Sequence, residues 1–532
     1  MTTDELCTLL KFRENAEVEF KSAKGGFPGS LWESVSAFAN TNGGVILLGV
    51  AEKHKRAVVD GLSEDEVISL KKTFWDLANN PQKINRCLFI EDDVHQEKLE
   101  NGWVLVIRIE RVDYRLRPIY LNGTPYGNTY KRRHEGDYHC TDEEVNQMIT
   151  DANIRNCSAD GRILCNFSMD DIDASTLRKY RTEFERRHEK HPWSSLSNEE
   201  FLKTIGAYRH DRRTHEEGFT VAGMLMFGKT ESIIDQECLP YYFVDYREHL
   251  TDDLEVRWTD RIYPDGRWSA NLYEFYNRIL NKLYEALPKP FVLDDNGKTR
   301  LEYTTAHLSL REALANTLIH ASYTQKGSIT VDRWKDKVVL SNPGTLLVSI
   351  EQFFQGQQSE CRNPVLQKMF VFMGIGEKAG SGADIIVKGW KDNKWVKPLL
   401  EEKNEPDRVV LTLGFDKVDK AESLSSHQAV TKLSPSSRQV VTKLSLSIPM
   451  ISYLLQKMTT PMSAKEMRLF CGQKDHTYFK ANVIDPLIAE KLIAMSHPDK
   501  PTSPSQKYFL TESGLMLLDW MKRVKSESDE IN

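Results

Sequence analysis

Residues 14–52 constrain the fold more than any other part of the chain, because two different periodicities follow each other there. Val18 and Phe20 alternate with polar residues, which is typical of a half-buried strand. Across residues 30–40 the apolar side chains recur at helical spacing, and an Asn-Gly-Gly turn follows. Residues 45–50 (VILLGV) form a short apolar run, the pattern of a buried strand. The stretch therefore predicts a strand, a helix and a second strand.

Three glutamates frame this predicted unit. Glu14 and Glu19 flank the first strand, and Glu52 stands just past the predicted end of the second. A strand, a helix and a returning strand would bring the three side chains near one another. Carboxylates gathered in this way repel unless a cation or a basic partner offsets their charge. The pattern predicts a site that attracts positive charge.

The same stretch resembles the AlbA-like domain of the Schlafen family, in VEFK at 18–21, SAFANTNGG at 36–44 and the Gly-Val-acid end of the second strand. The resemblance implies a domain in which three acids hold a divalent metal, Mg²⁺ or Mn²⁺, and cut transfer or ribosomal RNA. Carried over by position, the acids are Glu14, Glu19 and Glu52, with Lys21 beside them. The third acid is usually Asp in the nucleases, and the Glu found here reaches further. Bacterial relatives with this domain are described as DNA-binding regulators, so binding without cleavage stays open.

Length and charge limit what the rest of the chain can be. A chain of 532 residues is expected to form several domains. The net charge of −6 requires any nucleic-acid surface to be a local basic patch. The 8 cysteines include no CxxC pair, which favours a reducing compartment. With no leader pattern and no apolar run of membrane-spanning length, the sequence predicts a cytoplasmic protein.

A basic and aromatic segment ends the first predicted domain. Its cations alternate with tyrosines, a composition that suits phosphate contact and base stacking. The alternative is a solvated strand edge, which also carries Lys and Arg. Nucleic-acid binding is favoured because the segment shares a predicted domain with the three acids. The predicted contact residues are Arg115, Arg117, Lys131, Arg132 and Arg133.

The middle of the chain carries little functional signal. Residues 173–191 predict a charged amphipathic helix, and residues 219–229 (FTVAGMLMFGK) predict a buried strand. The Gly-Lys pair that closes this run lacks the spaced glycines of a phosphate loop. A mixed α/β segment is expected.

A second candidate site begins with a helix at residues 307–323. Glu312, Asn316 and His320 recur every four residues, opposite an apolar face. Helical spacing alone is compatible with a polar outer face. A predicted hairpin and a glycine-rich segment follow, however, and glycine-rich loops that open a helix can bind phosphate through backbone N–H groups.

This second half resembles the GHKL-type ATPase fold, in the divergent form described as the C-terminal part of a RecG-like helicase. The shared words are REALANTLIH, LSNPG at 340–344, RNP at 362–364 and EKAGSG at 377–382. The resemblance implies ATP with Mg²⁺, a water-activating Glu312, a magnesium ligand Asn316 and a phosphate lid. The usual adenine-reading Asp-x-Gly-x-Gly box is replaced by Asn-Pro-Gly, which leaves hydrolysis open. The predicted nucleotide-binding residues are Glu312, Asn316, His320, Asn342, Gly344, Gly380 and Gly382. The helicase P-loop motif is missing from the sequence, so a motor function is rejected.

The chain ends in a Ser-rich linker and a small domain. Residues 416–447 read as a flexible linker with a short tandem repeat, and residues 448–532 as a winged helix. Its third helix would present Lys474 and Lys480 to a duplex, although such modules also serve protein contacts. The predicted domains are thus 1–155 (Schlafen AlbA-like), 156–415 (connecting region and GHKL-like, or Bergerat, α/β sandwich), 416–447 (linker) and 448–532 (winged helix).

Three functions are compatible with this α+β multidomain organisation. The first is a metal-dependent nuclease on structured RNA such as transfer RNA, gated by the nucleotide-binding module. The second is an ATP-responsive DNA-binding transcriptional regulator without nuclease activity. The third is an assembly scaffold in which the GHKL-like domain only dimerises, which would make the protein a homo-oligomer. Nucleic acid, RNA or DNA, is the expected partner in the first two.

Overall fold

The computed structural model describes residues 6, 10, 16–53, 56–251, 253, 255–287, 304–356, 360–376, 381–404, 406–417, 458, 462–470, 479–489, 492–496 and 506–511. The chain forms two compact units. The larger consists of Arg13–Lys417, and the smaller of Met1–Phe12 with Val418–Asn532.

The described residues of the first part of the larger unit form eight strands and three α-helices. The strands are β1 (Val18–Lys21), β2 (Gly44–Leu48), β3 (Val50–Lys53), β4 (Arg56–Val59), β5 (Val94–Leu99), β6 (Gly102–Ile109), β7 (Tyr130–Arg133) and β8 (Gly136–His139). The helices are α1 (Leu31–Asn40), α2 (Glu64–Ala78) and α3 (Asp142–Ala152).

Four of these strands form a sheet in the order β1-β2-β6-β5, with β1 and β2 parallel. Helices α1 and α2 share a core, where Trp32 stacks on Phe74 with ring centroids 5.3 Å apart. The predicted strand, helix and second strand are all present. One detail differs: Gly49 adopts φ +96° and an added Cβ would lie 2.8 Å from Leu62. The apolar run therefore breaks at Gly49, and Glu52 lies within β3 rather than past a strand end.

The middle part contains a small three-stranded sheet and several helices. Its elements are β9 (Ile163–Leu164), α4 (Ala174–Arg187), α5 (Asn198–Ile205), β10 (Tyr208–His210), β11 (Glu217–Thr220), α6 (Val221–Phe227), α7 (Thr230–Ile233), β12 (Val244–His249), β13 (Asp260–Ile262) and α8 (Leu272–Tyr284). Strands β10, β11 and β9 form the small sheet.

The predicted strand at residues 219–229 is wrong for most of its length. Strand β11 ends at Thr220, whose hydroxyl accepts the backbone N–H of Gly223 at 3.0 Å and caps helix α6. All seven residues of α6 are buried. A helix enclosed on every side lacks an amphipathic pattern, and a short apolar run of this kind looks the same as a buried strand.

The last part of the larger unit completes a mixed sheet. Its elements are α9 (Thr305–Ile319), β14 (Ile329–Trp334), β15 (Lys337–Pro343), α10 (Ile350–Gln355), α11 (Pro364–Phe372), α12 (Ser381–Asp392), β16 (Leu399–Asn404) and β17 (Asp407–Gly414). The six-stranded sheet has the order β13-β12-β14-β15-β17-β16. One face of it packs on the large core that also contains α8, α9 and α12.

The smaller unit is described in part. It contains α13 (Ala464–Phe470), a π-helical turn (Lys480–Ile484), α14 (Asp485–Ala489), β18 (Ile493–Met495) and β19 (Tyr508–Leu510). Strands β18 and β19 pair antiparallel. The sequence predicts the third helix at residues 475–495, but Ile493–Met495 form β18 and pair with β19 instead. Of the first predicted helix, at residues 451–458, only Met458 is described, so the winged helix stays a prediction.

Candidate functional site

The main candidate site is a cleft between α9, the end of β15 with the loop after it, and the start of α12. The cleft holds about 1020 Å³ of space, part of it open solvent. Glu312, Asn316, His320, Asn342 and Gly382 all line it. Five of the seven predicted nucleotide-binding residues therefore meet at one place.

Glu312 and Asn316 converge on two glycines. Glu312 is buried at 4% exposure, and the backbone N–H of Gly376 donates to its carboxylate at 3.3 Å. A Cβ placed on Gly382 would lie 2.7 Å from Glu312 Oε1 and 2.9 Å from Asn316 Nδ2. The polar face of α9 is thus directed into the cleft, and the chain at Gly382 approaches so closely that a side chain would clash.

His320 follows α9 directly and donates its backbone N–H to Asn316 at 3.0 Å. Burial, together with the neighbouring Arg362 guanidinium, lowers the pKa of His320 to about 4. The imidazole is therefore neutral at physiological pH. A neutral ring in the cleft can donate and accept hydrogen bonds without adding charge.

Asn342 lines the cleft from β15, and Gly344 lies in the turn that follows. Asn342 pairs with Val409 across the sheet and is 5% exposed. Gly344 has φ +107°, and an added Cβ would lie 2.8 Å from the guanidinium of Arg362. The Asn-Pro-Gly sequence therefore forms a tight turn beside the cleft. Gly380, also predicted here, lies outside the described residues.

Sequence reasoning missed two residues that hold this wall together. The Arg362 guanidinium donates to both oxygens of Asp151 at 2.9 Å and to the carbonyls of His320 and Thr345 at 2.8 Å. Asn363 donates to the carbonyls of Ile319 and Ala321, at the end of α9. The available signal was the Arg-Asn-Pro motif, which served only to support the resemblance.

The cleft wall is in direct contact with the first part of the unit. The hydroxyl of Tyr114 donates to Glu360 at 2.7 Å, and Arg155 donates to the same carboxylate at 2.5 Å. Burial and the Glu360 carboxylate raise the pKa of Tyr114 to about 12. Arg111 pairs with Glu402 at 2.6 Å and donates to the carbonyl of Leu346 at 2.9 Å. Glu360 and Leu346 both line the cleft.

Glu19, one of the three glutamates predicted to bind a metal, is held in ion pairs. Glu19 Oε1 lies 2.7 Å from Lys21 Nζ, and its Oε2 lies 2.7 Å from the Arg132 guanidinium. Arg132 also pairs with Asp137 at 2.9 Å and lies over the ring of Phe38. The two negative and two positive charges of these side chains cancel, so Glu19 lies in an ion-pair network with no net charge.

The other two acids do not complete a described metal site. Glu52 is exposed on β3, and Glu14 lies outside the described residues. Among the residues that the structure does describe, no three His, Cys, Asp or Glu side chains form a group that could hold a metal ion. The predicted metal triad therefore stays a prediction.

The predicted basic surface needs correction. Arg117, Lys131 and Arg132 are buried, with 7%, 5% and 3% exposure. Lys131 pairs with Asp407 at 2.6 Å and with Glu144 at 3.4 Å. Buried charges require partners inside the protein, so these three side chains are not available to a nucleic acid in this conformation.

Two of the remaining predicted cations, Arg115 and Arg133, are partly exposed and paired with carboxylates. The side chain of Arg115 is 44% exposed and pairs with Asp113, and that of Arg133 is 24% exposed and pairs with Glu144. Lys480 lies on the π-helical turn of the smaller unit. Lys474 lies outside the described residues.

Four family models match separate parts of this chain. Residues 14–141 match the Schlafen AlbA_2 domain, and residues 327–413 match the C-terminal domain of a putative ATP-dependent DNA helicase recG. Residues 449–511 match the C-terminal domain of Fic-like proteins (filamentation induced by cAMP), and residues 146–245 match a domain of unknown function, DUF8451. The predicted resemblances to the first two are confirmed. They connect the chain with nucleic-acid-related, ATP-dependent proteins.

Similar solved structures include the DIP2311 protein from Corynebacterium diphtheriae, at 17% identity and a TM-score of 0.39 over 95% of this chain and 94% of that one. Another is the N-terminal domain of a putative ATP-dependent DNA helicase RecG-related protein from Nitrosomonas europaea. It has 26% identity and a TM-score of 0.20 over 26% of this chain and 90% of that one. Both TM-scores are too low to support a fold or function. The curated proteins give no significant sequence match.

None of the helices in the described part of the chain combines the length and the apolar character needed to cross a membrane.

Proposed function

We propose that this chain is a nucleic-acid-binding protein whose binding is controlled by a nucleotide held in the cleft. The observation that carries the proposal is the convergence of Glu312 and Asn316 on Gly376 and Gly382. The Glu312 carboxylate and the Asn316 amide, placed four residues apart on one helix, both lie beside Gly382. The adjoining glycines leave room for a ligand to approach the backbone.

The residues present fit ATP with Mg²⁺. Asn316 would hold the magnesium ion by its amide oxygen, a type of ligand that hard cations accept. Glu312 is placed to orient a water molecule, and Gly382 lies in the first turn of α12, beside both side chains. Bound ATP would supply the phosphate groups whose presence or loss distinguishes two states of the cleft. Because the ring of His320 is neutral, it adds no positive charge to that of the neighbouring Arg362.

Direct contacts link the cleft to the AlbA-like part. Tyr114 and Arg155 hold Glu360, and Arg111 holds the loop at Leu346. A ligand that displaces either wall residue changes hydrogen bonds made by the first domain. Coupling of this kind requires that the nucleotide bind one arrangement better than the other. The proposal therefore includes reciprocal effects of ATP and nucleic acid on each other's affinity.

The test is thermal unfolding of the full chain with ATP and Mg²⁺, followed by titration of labelled RNA and duplex DNA with and without ATP. Saturating ATP is expected to raise the melting temperature of the wild type, because it binds the folded state. Asn316→Ala is expected to lose most of that shift. The matched control is Asn277→Ala on α8, where the amide donates to the backbone carbonyl of Tyr273 and does not line the cleft. The same ATP shift in Asn316→Ala and in the wild type would contradict the assignment.

A second candidate function is metal-dependent RNA cleavage, which the match of residues 14–141 to the Schlafen AlbA_2 model favours. Under this hypothesis the full chain with Mn²⁺ cuts labelled transfer RNA, EDTA abolishes cutting, and Glu19→Gln loses most of it. Glutamine keeps the shape of Glu19 beside Arg132 while removing the negative charge. The control is Glu110→Gln, a side chain that is 73% exposed. Binding of RNA by the wild type without any metal-dependent product would remove the nuclease candidate and leave the controlled binder.

A further inference from the structure

The outer face of the six-stranded sheet carries charged and aromatic side chains close together. The inner face is apolar: Val244, Tyr246, Val331 and Leu340 are all at 0 or 1% exposure. Side chains alternate between the faces of a strand, so the intervening residues lie on the outer side. The outer face carries Arg247, His249, Arg261, Asp332, Trp334 and Lys337.

A ladder of cations and rings extends this face beyond its edge strand. In the segment before β13, the guanidinium of Arg257 lies 4.5 Å from the ring centre of Trp258. Arg261, on β13, lies 4.5 Å from the same ring and 4.5 Å from the ring of Tyr263. Three such pairs within seven residues far exceed the usual frequency of about one in 70–80 residues. The backbone N–H of Thr259 donates to Glu248 at 2.8 Å, which fixes the ladder beside β12.

A second aromatic platform lies on β14. The ring of Trp334 is 38% exposed and stacks on His249 with centroids 3.9 Å apart. Lys337 lies 5.8 Å from the centre of the Trp334 ring. Strands β13 and β14 both pair with β12, which places the two platforms about 10 Å apart across the sheet.

The charges on this face are of two kinds. Arg247 pairs with Asp332 at 2.7 Å and Arg261 pairs with Asp245 at 2.8 Å, so these guanidinium planes are held in place. Within the described part of the chain, neither Arg257 nor Lys337 has a carboxylate at salt-bridge distance; each lies over a ring instead. The face therefore offers fixed flat groups together with two cations that have no carboxylate at salt-bridge distance among the described residues.

We propose that the outer face of this sheet binds single-stranded nucleic acid, with bases stacking on the platforms at Trp258 and Trp334 and phosphates contacting Arg257 and Lys337. Exposed rings beside arginines bind unpaired bases of any sequence. Duplex bases are already stacked on each other and cannot reach such rings. This inference rests on the proposed nucleic-acid function and assigns it a surface that the sequence motifs did not indicate.

The experiment is fluorescence anisotropy of a labelled single-stranded 12-mer with the full chain, compared with a duplex of the same length. Arg257→Ala and Trp258→Ala are each expected to weaken single-strand binding about tenfold, in line with measured losses per stacked base, while duplex binding changes little. Arg257→Lys, which keeps the charge but not the planar group, is expected to restore only part of the loss. Arg186→Ala, at an arginine that is 74% exposed on α4, is the control. Because Arg257 is exposed, its removal leaves no buried partner, so misfolding does not obscure the result.

Single-strand binding that is equal in the wild type, Arg257→Ala and Trp258→Ala would overturn this inference and leave the face as a solvated edge or a protein contact. The proposed function would survive that outcome, because nucleic acid would still bind elsewhere. A wild type that binds neither single strand nor duplex would overturn both.

Discussion

Replacing Arg362 by methionine is expected to destabilise the larger unit by about 3–5 kcal/mol, the usual result of removing one partner of a buried ion pair. Arg362 donates twice to Asp151 and also to the carbonyls of His320 and Thr345. Without it, Asp151 keeps one described side-chain donor, Gln147 at 2.9 Å, and remains a buried charge. The measurement is the urea midpoint of the transition that unfolds this unit, followed by tryptophan fluorescence.

A double variant separates lost charge from lost packing. Asp151→Asn combined with Arg362→Met is expected to recover part of the stability, because no unpaired charge is then buried. Arg186→Met serves as the control, since that arginine is exposed and pairs weakly with Glu183 at 4.0 Å. A midpoint for Arg362→Met equal to that of the control would contradict a structural role for the Arg-Asn-Pro motif.

The sequence contained enough information to predict the local elements around both candidate sites. The strand, helix and strand of residues 18–48 were visible because each pattern has its own period and the turn glycines mark the ends. Helix α9 was visible from the polar residues recurring every four positions, and this spacing correctly grouped Glu312 with Asn316. The helix spans Thr305–Ile319 rather than the predicted 307–323. Helix α6 was not, since its enclosure on all sides removes the period.

Partners that are distant along the chain could not be predicted. Lys131 looked like a surface cation because its neighbours are basic, whereas its anion Asp407 lies 276 residues later. Glu19, which the sequence predicts as a metal ligand, also pairs with Arg132 on β7, a contact that local sequence could not show. Local sequence shows the sign of a charge but not which residue neutralises it. Whether a charged side chain belongs to a binding surface or to an internal ion pair depends on that partner.

The outer sheet face is a candidate surface that local sequence did not reveal. Arg257, Trp258 and Arg261 are adjacent in sequence and drew no functional interpretation, because a short charged and aromatic segment is common. Trp334 belongs to another strand, and only the parallel pairing of β12 with β14 brings it to the same face. The register of the sheet, rather than any motif, creates this candidate surface.

Replacing Gly389 by alanine is expected to weaken both the fold and the cleft. An added Cβ would lie 1.9 Å from Ser309 Oγ and 2.5 Å from the carbonyl oxygen of Thr305, both on α9. Alanine favours a helix over glycine by about 1 kcal/mol, but the clash involves backbone and requires α12 to move away from α9. Overpacking of this kind costs about 1–3 kcal/mol and sometimes more. Because α12 carries Gly382 and α9 carries Glu312, we also expect a smaller thermal shift with ATP.

The control for this clash is Gly29→Ala, where an added Cβ meets nothing within 4 Å and the backbone is not left-handed. Its urea midpoint and its ATP shift are expected to match the wild type. The double variant Ser309→Ala with Gly389→Ala relieves contact with the hydroxyl but not with the Thr305 carbonyl, so it is expected to recover only part of the stability. Full recovery would show that the serine alone sets the helix spacing. Wild-type stability and ATP response in Gly389→Ala itself would mean that α9 and α12 can separate without consequence, which contradicts a cleft built on their close contact.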